Sequence, residues 1–429
     1  MRRRIFGGIH PPEYKNLSAG GVINPVSPRQ VVIPMQQHIG APCVPLVKVG
    51  EIVLLGQKIG DGEGLCAPVH ASVSGIVRAV EPRPHGSGRP VMAVVIENDF
   101  RNAAVPAEPL IHPDGDTILH RIRDAGIVGM GGAAFPGSVK AMSAMGKVDT
   151  LIGNACECEP YITADDTLLR MQPEQVLRGL ELLGRLLNPQ RVVLAIEDNK
   201  IAAIVRMREA LPEFPGVELL VLPTRYPQGA EKQLIRSVTG REVPPGQLPT
   251  GVGCAVFNVS TLAAVSRAVM QGQPVTARIV TVTGAVGEPQ NLLVPIGTPL
   301  QDVLDAAGGC LEGAQRVVCG GPMMGIAQSD LTVPVVKATN CVLCLREVPQ
   351  TVGAAVCIRC GKCLRACPMH LQPLYLHRFS GEKRAGELTR LHISDCVECG
   401  CCAYTCPGKL SLVESIRAGK RYWKEVSSL

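Results

Sequence analysis

The chain has 429 residues, of which 46% are hydrophobic, 19% charged and only 3% aromatic, with a formal net charge of +6. That length implies two to four domains, and no apolar run approaches the ~18–20 residues of a membrane-spanning helix. Eighteen cysteines, eight of them in two metal-type runs, argue against a secreted disulfide scaffold and for a reducing compartment. The few aromatics do not interleave with the basic residues, so no nucleic acid partner is expected.

The start, MRRRIFGGIHPPEYK, is basic but lacks the apolar core of a signal peptide, which predicts a cytoplasmic protein or one attached peripherally to a membrane from that side. Residues 26 to 100 are short alternating apolar runs broken by Gly and Pro (VVIPM, VPLVKVGEIVLLGQKIG, SGIVRAV, PVMAVVIEN), the punctuation of an all-β domain. The pattern changes near Asp116. TILHRIRDAG reads as an amphipathic helix ending at Gly126, and residues 166–187 as a helix broken near Pro173. RVVLAIED (191–198) then reads as a buried strand, NKIAAIVRMREAL as a helix, VELLVLP as a strand and residues 260–272 as a helix. Strand–helix–strand order argues an α/β layer. From Val275 the pattern returns to β (ARIVTVTGAVGEPQNLLVPIG) with one helix, PLQDVLDAAGG, as in a small α+β module. After Thr351 cysteine runs dominate, separated and followed by the helical segments PLYLHRF, GELTRLHI and KLSLVESIRAG.

The first run supplies Cys357, Cys360, Cys363 and Cys367 before Pro368, and the second Cys396, Cys399, Cys402 and Cys406 before Pro407. Both have the C-x₂-C-x₂-C-x₃-C-P spacing that holds a [4Fe–4S] cluster, and in two-cluster ferredoxins the fourth cysteine crosses to the other cluster. The expected sets are therefore Cys357, Cys360, Cys363 and Cys406, and Cys396, Cys399, Cys402 and Cys367. A pair of zinc sites is the competing reading, but zinc has no use for the third C-x₂ step or the C-x₃-C-P ending. Cys401 neighbours a ligand without fitting the spacing. Cys341 and Cys344, in TNCVLCL, form a lone C-x₂-C read as small core residues. From Ile358 onward there are twelve Lys/Arg against six Asp/Glu, so the tail carries an excess equal to the whole net charge.

GIVGMGGAAFPGSVK (126–140) contains Gly129-x-Gly131-x-x-Ala134, a dinucleotide fingerprint in its Gly/Ala form. The Rossmann context is missing, because a helix precedes it and Pro136 interrupts. What remains is a run of unhindered backbone N–H groups with Lys140 behind them, a phosphate cradle or else a tight structural turn. LIGNACECEPYITADD (151–166) follows with Asn154, Glu157, Glu159, Asp165 and Asp166. These groups can hydrogen-bond a ring edge or ribityl and ribose hydroxyls, or form a solvated acidic loop.

The glycine loop, the N-A-x-E-x-E-P segment, YPQGAEKQL (226–234) and FNVSTLAAV (257–265) resemble the NADH-oxidising flavoprotein subunit of respiratory complex I. With GGIHPPEYK (7–15), ECEPYITADD, GGPMMG (320–325) and the two cysteine runs, nearly the whole chain resembles the peripheral flavin/iron–sulfur subunit of the Rnf ferredoxin:NAD oxidoreductases. That resemblance implies non-covalent FMN, two [4Fe–4S] clusters, and NAD(H) as substrate. Its implied partners are the membrane subunits of an Rnf-type complex and a ferredoxin-like electron carrier subunit, and its implied location is the cytoplasmic face of the cell membrane. Carried over, Gly129, Gly131, Gly132 and Lys140 would hold the FMN phosphate side. Asn154, Glu157, Gly229, Glu231, Asn258 and Thr261 would line the flavin, Phe135 would stack on the nicotinamide nucleotide, and Glu159 would lie near its ribose. Met130, Cys156 and Ala230 stand where complex I has Arg, Asp and Glu.

The resemblance also implies a multidomain α/β and β fold. Residues 1–110 would form a lipoyl-like barrel-sandwich docking domain, in which GEGLCAPVH has no lysine to modify. Residues 111–273 would form the FMN/NAD(H)-binding α/β domain, 274–350 a β-grasp (SLBB-like) module with a return segment, and 351–429 a helical dicluster ferredoxin domain. The alternative functions are a soluble corrinoid reductase and a non-catalytic electron-transfer scaffold.

Overall fold

A computed structural model of the chain describes residues 6–20, 23–346 and 356–427. A first short strand, β1 (Ile23–Pro25), precedes seven that make the barrel-sandwich: β2 (Gln30–Pro34), β3 (Val44–Pro45), β4 (Ile52–Val53), β5 (Lys58–Asp61), β6 (Val69–His70), β7 (Gly75–Arg83) and β8 (Val91–Asn98). They form two antiparallel sheets, ordered β2-β8-β7-β4 and β3-β5-β6. The alternating residues Val31, Ile33, Val77, Val94 and Ile96 meet Ile59 and Val69 in one core between the sheets. The residues before β2 also reach beyond the barrel-sandwich. Strand β1 adds in parallel to a sheet of the third module, and residues before it lie on the other domains, where Ile9 N–H bonds the Tyr226 carbonyl at 2.8 Å. No alternation in GGIHPPEYK announces those partners.

The α/β domain runs α1 (Gly115–Asp124), α2 (Gly137–Ala144), β9 (Thr150–Ala155), α3 (Ala164–Met171), α4 (Pro173–Leu187), β10 (Arg191–Glu197), α5 (Ile201–Ala210), β11 (Val217–Leu222), α6 (Glu231–Thr239), β12 (Cys254–Asn258) and α7 (Val259–Gln271). Asp114 caps α1 by accepting from Thr117 N–H, and Pro173 opens α4 at a position where its missing N–H costs nothing. The four strands are parallel in the order β11-β10-β9-β12. Helices α4 and α7 approach so closely that a Cβ on Gly179 would sit 1.9 Å from the Leu262 carbonyl oxygen. The strand order reverses between β9 and β12. Crevices at such a switch point, beyond the carboxyl ends of the strands, are where open α/β sheets bind ligands.

The third module consists of β13 (Ala277–Gly284), β14 (Gln290–Pro295), α8 (Leu300–Asp305), β15 (Arg316–Cys319), β16 (Ile326–Gln328) and β17 (Cys341–Leu345), with sheet order β1-β14-β13-β17-β15-β16. Cys341 and Cys344 are buried on its inner strand β17, small core residues as expected, and Cys344 Sγ lies 2.9 Å from Cys310 Sγ. The expected boundary at residue 350 lies outside the described residues. Five helices complete the chain: α9 (Lys362–Ala366), α10 (Pro373–Gly381), α11 (Ala385–Arg390), α12 (Cys401–Tyr404) and α13 (Leu412–Ser427). Leu376, Leu388, Ile393 and Ile416 pack into a small core between them. Among the described residues no helix is long and apolar enough to cross a membrane.

Candidate functional site

The glycine loop lies between α1 and α2, beside the switch point. Pro136 does not interrupt it as the sequence suggested. Pro136 is the residue from which α2 starts, a position that suits its fixed φ, so the loop does open a helix and Lys140 sits in that helix. Gly129 N–H bonds the Phe135 carbonyl at 2.8 Å, and Met130 N–H bonds Thr261 Oγ1 at 3.0 Å. Gly131, Gly132 and Ala133 are exposed, and their N–H groups find no acceptor among the described residues. A Cβ on Gly131 would come within 2.8 Å of the Asn258 amide, whereas one on Gly132 would meet nothing within 4 Å. The Met130 side chain is buried and its carbonyl accepts from Arg278 Nη1 at 3.4 Å, so a cation from β13 buttresses the loop from behind.

Asn154 and Asn258 are register partners at the ends of β9 and β12. The Asn154 amide donates to the Gly229 carbonyl at 2.9 Å, and the Asn258 amide to Asp165 at 2.7 Å, while Asn258 Oδ1 caps α7 through Ser260 N–H. Gly229 is packed so tightly on the Cys156 carbonyl that a Cβ there would lie 2.2 Å from it. Lys140 pairs with Glu231 at 2.7 Å, and its ammonium lies over the Phe257 ring. Phe135 is partly buried beside the loop.

Three of the expected residues also hold the backbone. The Glu157 carboxylate is buried and accepts from Asp165 N–H at 2.8 Å at the start of α3. Burial pushes its carboxyl up to about 8, against the pull of the Lys15 ammonium. Thr261 is likewise buried, and its hydroxyl accepts from Met130 N–H. The Glu159 carboxylate accepts from Met323 and Met324 N–H at 3.2 and 2.9 Å, in the GGPMMG turn. The cause is common: buried carboxylates and hydroxyls take the nearest unpaired backbone donors.

Sequence reasoning missed Lys15, whose ammonium donates to the carbonyls of Glu157, Glu159 and Ile162 and so holds the acidic segment in shape. It also missed Arg278, although a lone cation inside the apolar run ARIVTVTG was a signal.

In the helical domain, Cys367, Cys396, Cys399 and Cys402 line one cavity, with Leu371, Leu376, Val413, Ile416 and Cys401 also at its wall. These are the four thiols of one expected set. Cys363 and Cys406 pack together beside Leu412, and Cys357 and Cys406 both act electrostatically on the Cys363 thiol, while Cys360 is exposed. The cavity side of the domain faces the α/β domain. Tyr226 Oη donates to the Cys399 carbonyl at 2.7 Å, and Gln233 Nε2 to the Pro368 carbonyl at 2.8 Å.

A loop of unpaired N–H groups at a helix start fits a phosphate, and four thiols around one cavity fit an iron–sulfur cluster better than any ion that binds oxygen. Comparison with known families agrees with both. Residues 122–267 match the Nuo51 FMN-binding domain, 3–101 the RnfC barrel sandwich hybrid domain, 279–327 the SLBB domain and 356–409 the 4Fe-4S dicluster domain. The chain is 45% identical over 427 residues to the RnfC subunit of the Na(+)-translocating ferredoxin:NAD(+) oxidoreductase complex of Acetobacterium woodii, covering 97% of this chain and 96% of that one. It is 43% and 42% identical to the corresponding subunits of the ion-translocating oxidoreductase complexes of Salmonella arizonae and Klebsiella pneumoniae, but spans only 63% and 56% of their lengths. Its fold is similar to a chain of an NAD+-reducing [NiFe]-hydrogenase in the air-oxidized state, with a TM-score of 0.51 and 22% identity over 73% of this chain and 62% of that one. The chain belongs to the RnfC family, whose members are subunits of ion-translocating oxidoreductase complexes.

Proposed function

We propose that this chain exchanges electrons between NAD(H) and two [4Fe–4S] clusters by way of FMN, as the peripheral subunit of a membrane-bound, ion-translocating ferredoxin:NAD+ oxidoreductase. FMN, when bound, supplies a carrier that trades electron pairs with a nicotinamide and single electrons with a cluster. The free N–H groups of Gly131, Gly132 and Ala133 bind its phosphate, with Lys140 as the neighbouring cation. Asn154, Gly229, Glu231 and Asn258 frame the crevice over the carboxyl ends of β9 and β12. Glu157, Thr261, Lys15 and Arg278 hold the backbone of that frame. Phe135 is the apolar surface nearest the loop on which a nicotinamide nucleotide can rest.

The carrying observation is the bond between Tyr226, four residues after the end of β11, and the carbonyl of Cys399, a cluster-type cysteine. It ties the α/β domain to the cavity of Cys367, Cys396, Cys399 and Cys402, and so makes that centre the one next to the flavin. The Cys357, Cys360, Cys363 and Cys406 centre is then the exit toward a ferredoxin-like carrier and the membrane subunits at the cytoplasmic face.

One anaerobic preparation tests the reading. It should contain stoichiometric acid-releasable FMN and about eight irons, and NADH should bleach flavin and clusters together. Flavin that NADH does not reduce, in a preparation whose clusters dithionite does reduce, would overturn the NAD(H) step and leave an electron-transfer scaffold.

A further inference from the structure

The barrel-sandwich holds a cluster of metal-ligating side chains that the electron path does not use. His38, Cys43 and Cys66 come from two connections: His38 and Cys43 from the loop between β2 and β3, and Cys66 from the loop between β5 and β6. All three are buried, at 6%, 4% and 2% exposure, and their ligand atoms lie within 4.8 Å of one another. Cys43 Sγ is 3.3 Å from Cys66 Sγ, and Cys66 Sγ is 3.7 Å from His38 Nε2. Around a tetrahedral zinc with ~2.3 Å Zn–S and ~2.0 Å Zn–N bonds, the corresponding edges are ~3.8 Å and ~3.5 Å. Those two edges therefore stand within about half an ångström of the zinc values before any adjustment, and the Cys43–His38 edge lies within 4.8 Å.

The histidine is also oriented as a ligand. Its Nδ1–H can donate to the Ile39 carbonyl at 3.2 Å, which leaves Nε2 as the acceptor beside Cys66; there it accepts from Ala67 N–H at 3.1 Å, a bond that the metal would replace. A metal-bound histidine is fixed by that kind of second bond. A fourth oxygen is at hand in the Ala67 carbonyl, 3.3 Å from Cys43 Sγ. Glycine permits the approach, because a Cβ on Gly62 would lie 3.1 Å from Cys66 Sγ.

We propose that His38, Cys43 and Cys66 bind one zinc ion that pins the barrel-sandwich against the glycine loop. Two thiolates and an imidazole are a zinc donor set, and a closed, buried one is structural. The pinned segments touch the flavin side directly. Ile39 N–H bonds the Ala134 carbonyl at 3.3 Å, and Ala67 packs on Val128 and Ala134. Lys337 bridges the Pro68 and Gly126 carbonyls at 2.6 and 2.7 Å. The ion would thus stiffen the outer wall of the loop while holding no electrons itself, since zinc is redox-inert.

The test uses the full chain, purified anaerobically with Zn²⁺ present, and reads metal content and zinc K-edge absorption. The expected result is about one zinc per chain in a shell of two sulfurs at ~2.3 Å with nitrogen or oxygen at ~2.0 Å. Cys43→Ser/Cys66→Ser should lose the zinc and keep its iron, and His38→Gln should lose the nitrogen of the shell. Should the double variant fail to fold, the wild-type chain carries a second arm. Chelation should expose Cys43 and Cys66 to alkylation, and added Zn²⁺ should protect both again. A wild-type chain without zinc, zinc in an all-sulfur shell from a mismetallated cluster site, zinc retained in the folded double variant, or a Cys43–Cys66 disulfide would each overturn the proposal. None of these outcomes depends on flavin or NADH.

Discussion

Tyr226 Oη and the Cys399 carbonyl oxygen stand 2.7 Å apart, in a contact buried between the α/β domain and the helical domain. Burial pushes the ionisation of the phenol far above the ordinary range, so it is a neutral donor. Tyr226→Phe removes the donor and leaves a buried carbonyl unpaired, at a cost of about 1–2 kcal/mol to the docked arrangement. We expect slower reduction of the Cys367/Cys396/Cys399/Cys402 centre by reduced flavin in stopped flow, with iron and flavin content unchanged. An unaltered rate would mean that the domain contact rests on Gln233 and the apolar residues alone.

Gly131 and Gly132 should separate fold from ligand. A Cβ at Gly131 collides with Asn258, which caps α7 and bonds Asp165, so Gly131→Val should lower thermal stability as well as flavin binding. A Cβ at Gly132 meets no protein atom within 4 Å, so Gly132→Val should leave the melting temperature of the flavin-free chain within about a degree or two. If FMN phosphate lies on the loop, flavin affinity should still fall at least tenfold in that variant. Wild-type affinity there would move the flavin elsewhere.

The elements are readable from sequence wherever local pattern decides them. The break at Pro173, the buried strand β10, the strand β11 and the helix read at 260–272 follow from period and proline, and the structure has each, with α7 starting one residue earlier at Val259. The helix after Pro136 is misread from sequence because a proline that interrupts one pattern can equally open a helix. The contacts of Ile9 and β1 with the other domains are not readable from sequence, because β-addition and backbone stapling leave no periodic signature. The site is readable as a set of positions, through Gly131, Asn154, Asn258 and the eight cysteines, but not as a set of roles. Whether Glu157 or Glu159 reaches a ligand or a helix end depends on which backbone N–H groups tertiary folding leaves unpaired, and that is nonlocal.

Burial pushes the Glu159 carboxyl up to about 7, with the Met323 and Met324 N–H groups opposing the shift. An unfolded glutamate titrates near ~4.3, so the folded chain binds this proton more tightly. Its contribution is fully present below ~4.3 and is lost as pH rises through about 7. Glu159→Gln cannot lose a proton, so the melting temperature of the variant relative to wild type should climb between about pH 4.5 and 7 and level off above that. A difference that stays flat with pH would show that Glu159 is ionised throughout that range.

The basic tail is less free than its composition suggests. Arg417 and Lys420 both pair with Glu398 at 2.8 Å, and Lys420 also donates to the Cys396 carbonyl, so these cations hold the second cysteine run. Arg384 is engaged with Glu387 at 3.3 Å. Lys383 and Arg421 have no ion pair with a described residue, which leaves them to meet an acidic partner surface. Reversing both charges should slow association with membrane subunits and weaken its salt dependence, because steering between exposed charges is screened beyond ~8–10 Å at physiological ionic strength. NADH-to-dye turnover should be unchanged. Association that ignores both salt and the reversals would assign docking to the barrel-sandwich.

The crossing of the fourth cysteines can be tested by pairing substitutions across the two runs. Cys367 belongs to the first run by sequence but lines the cavity of Cys396, Cys399 and Cys402. If those four hold one cluster, Cys367→Ser and Cys396→Ser damage the same centre, and their effects cannot add. The double variant should then retain about four irons, as each single variant does, together with one reducible S = ½ signal. If Cys367 instead serves the cluster of Cys357, Cys360 and Cys363, the double variant damages both centres and iron should fall toward zero. Cys367→Ser with Cys357→Ser is the converse pair. It should lose both centres under the crossed arrangement and only one under the uncrossed arrangement, so the two double variants give opposite iron counts and assign the ligand whichever way it falls.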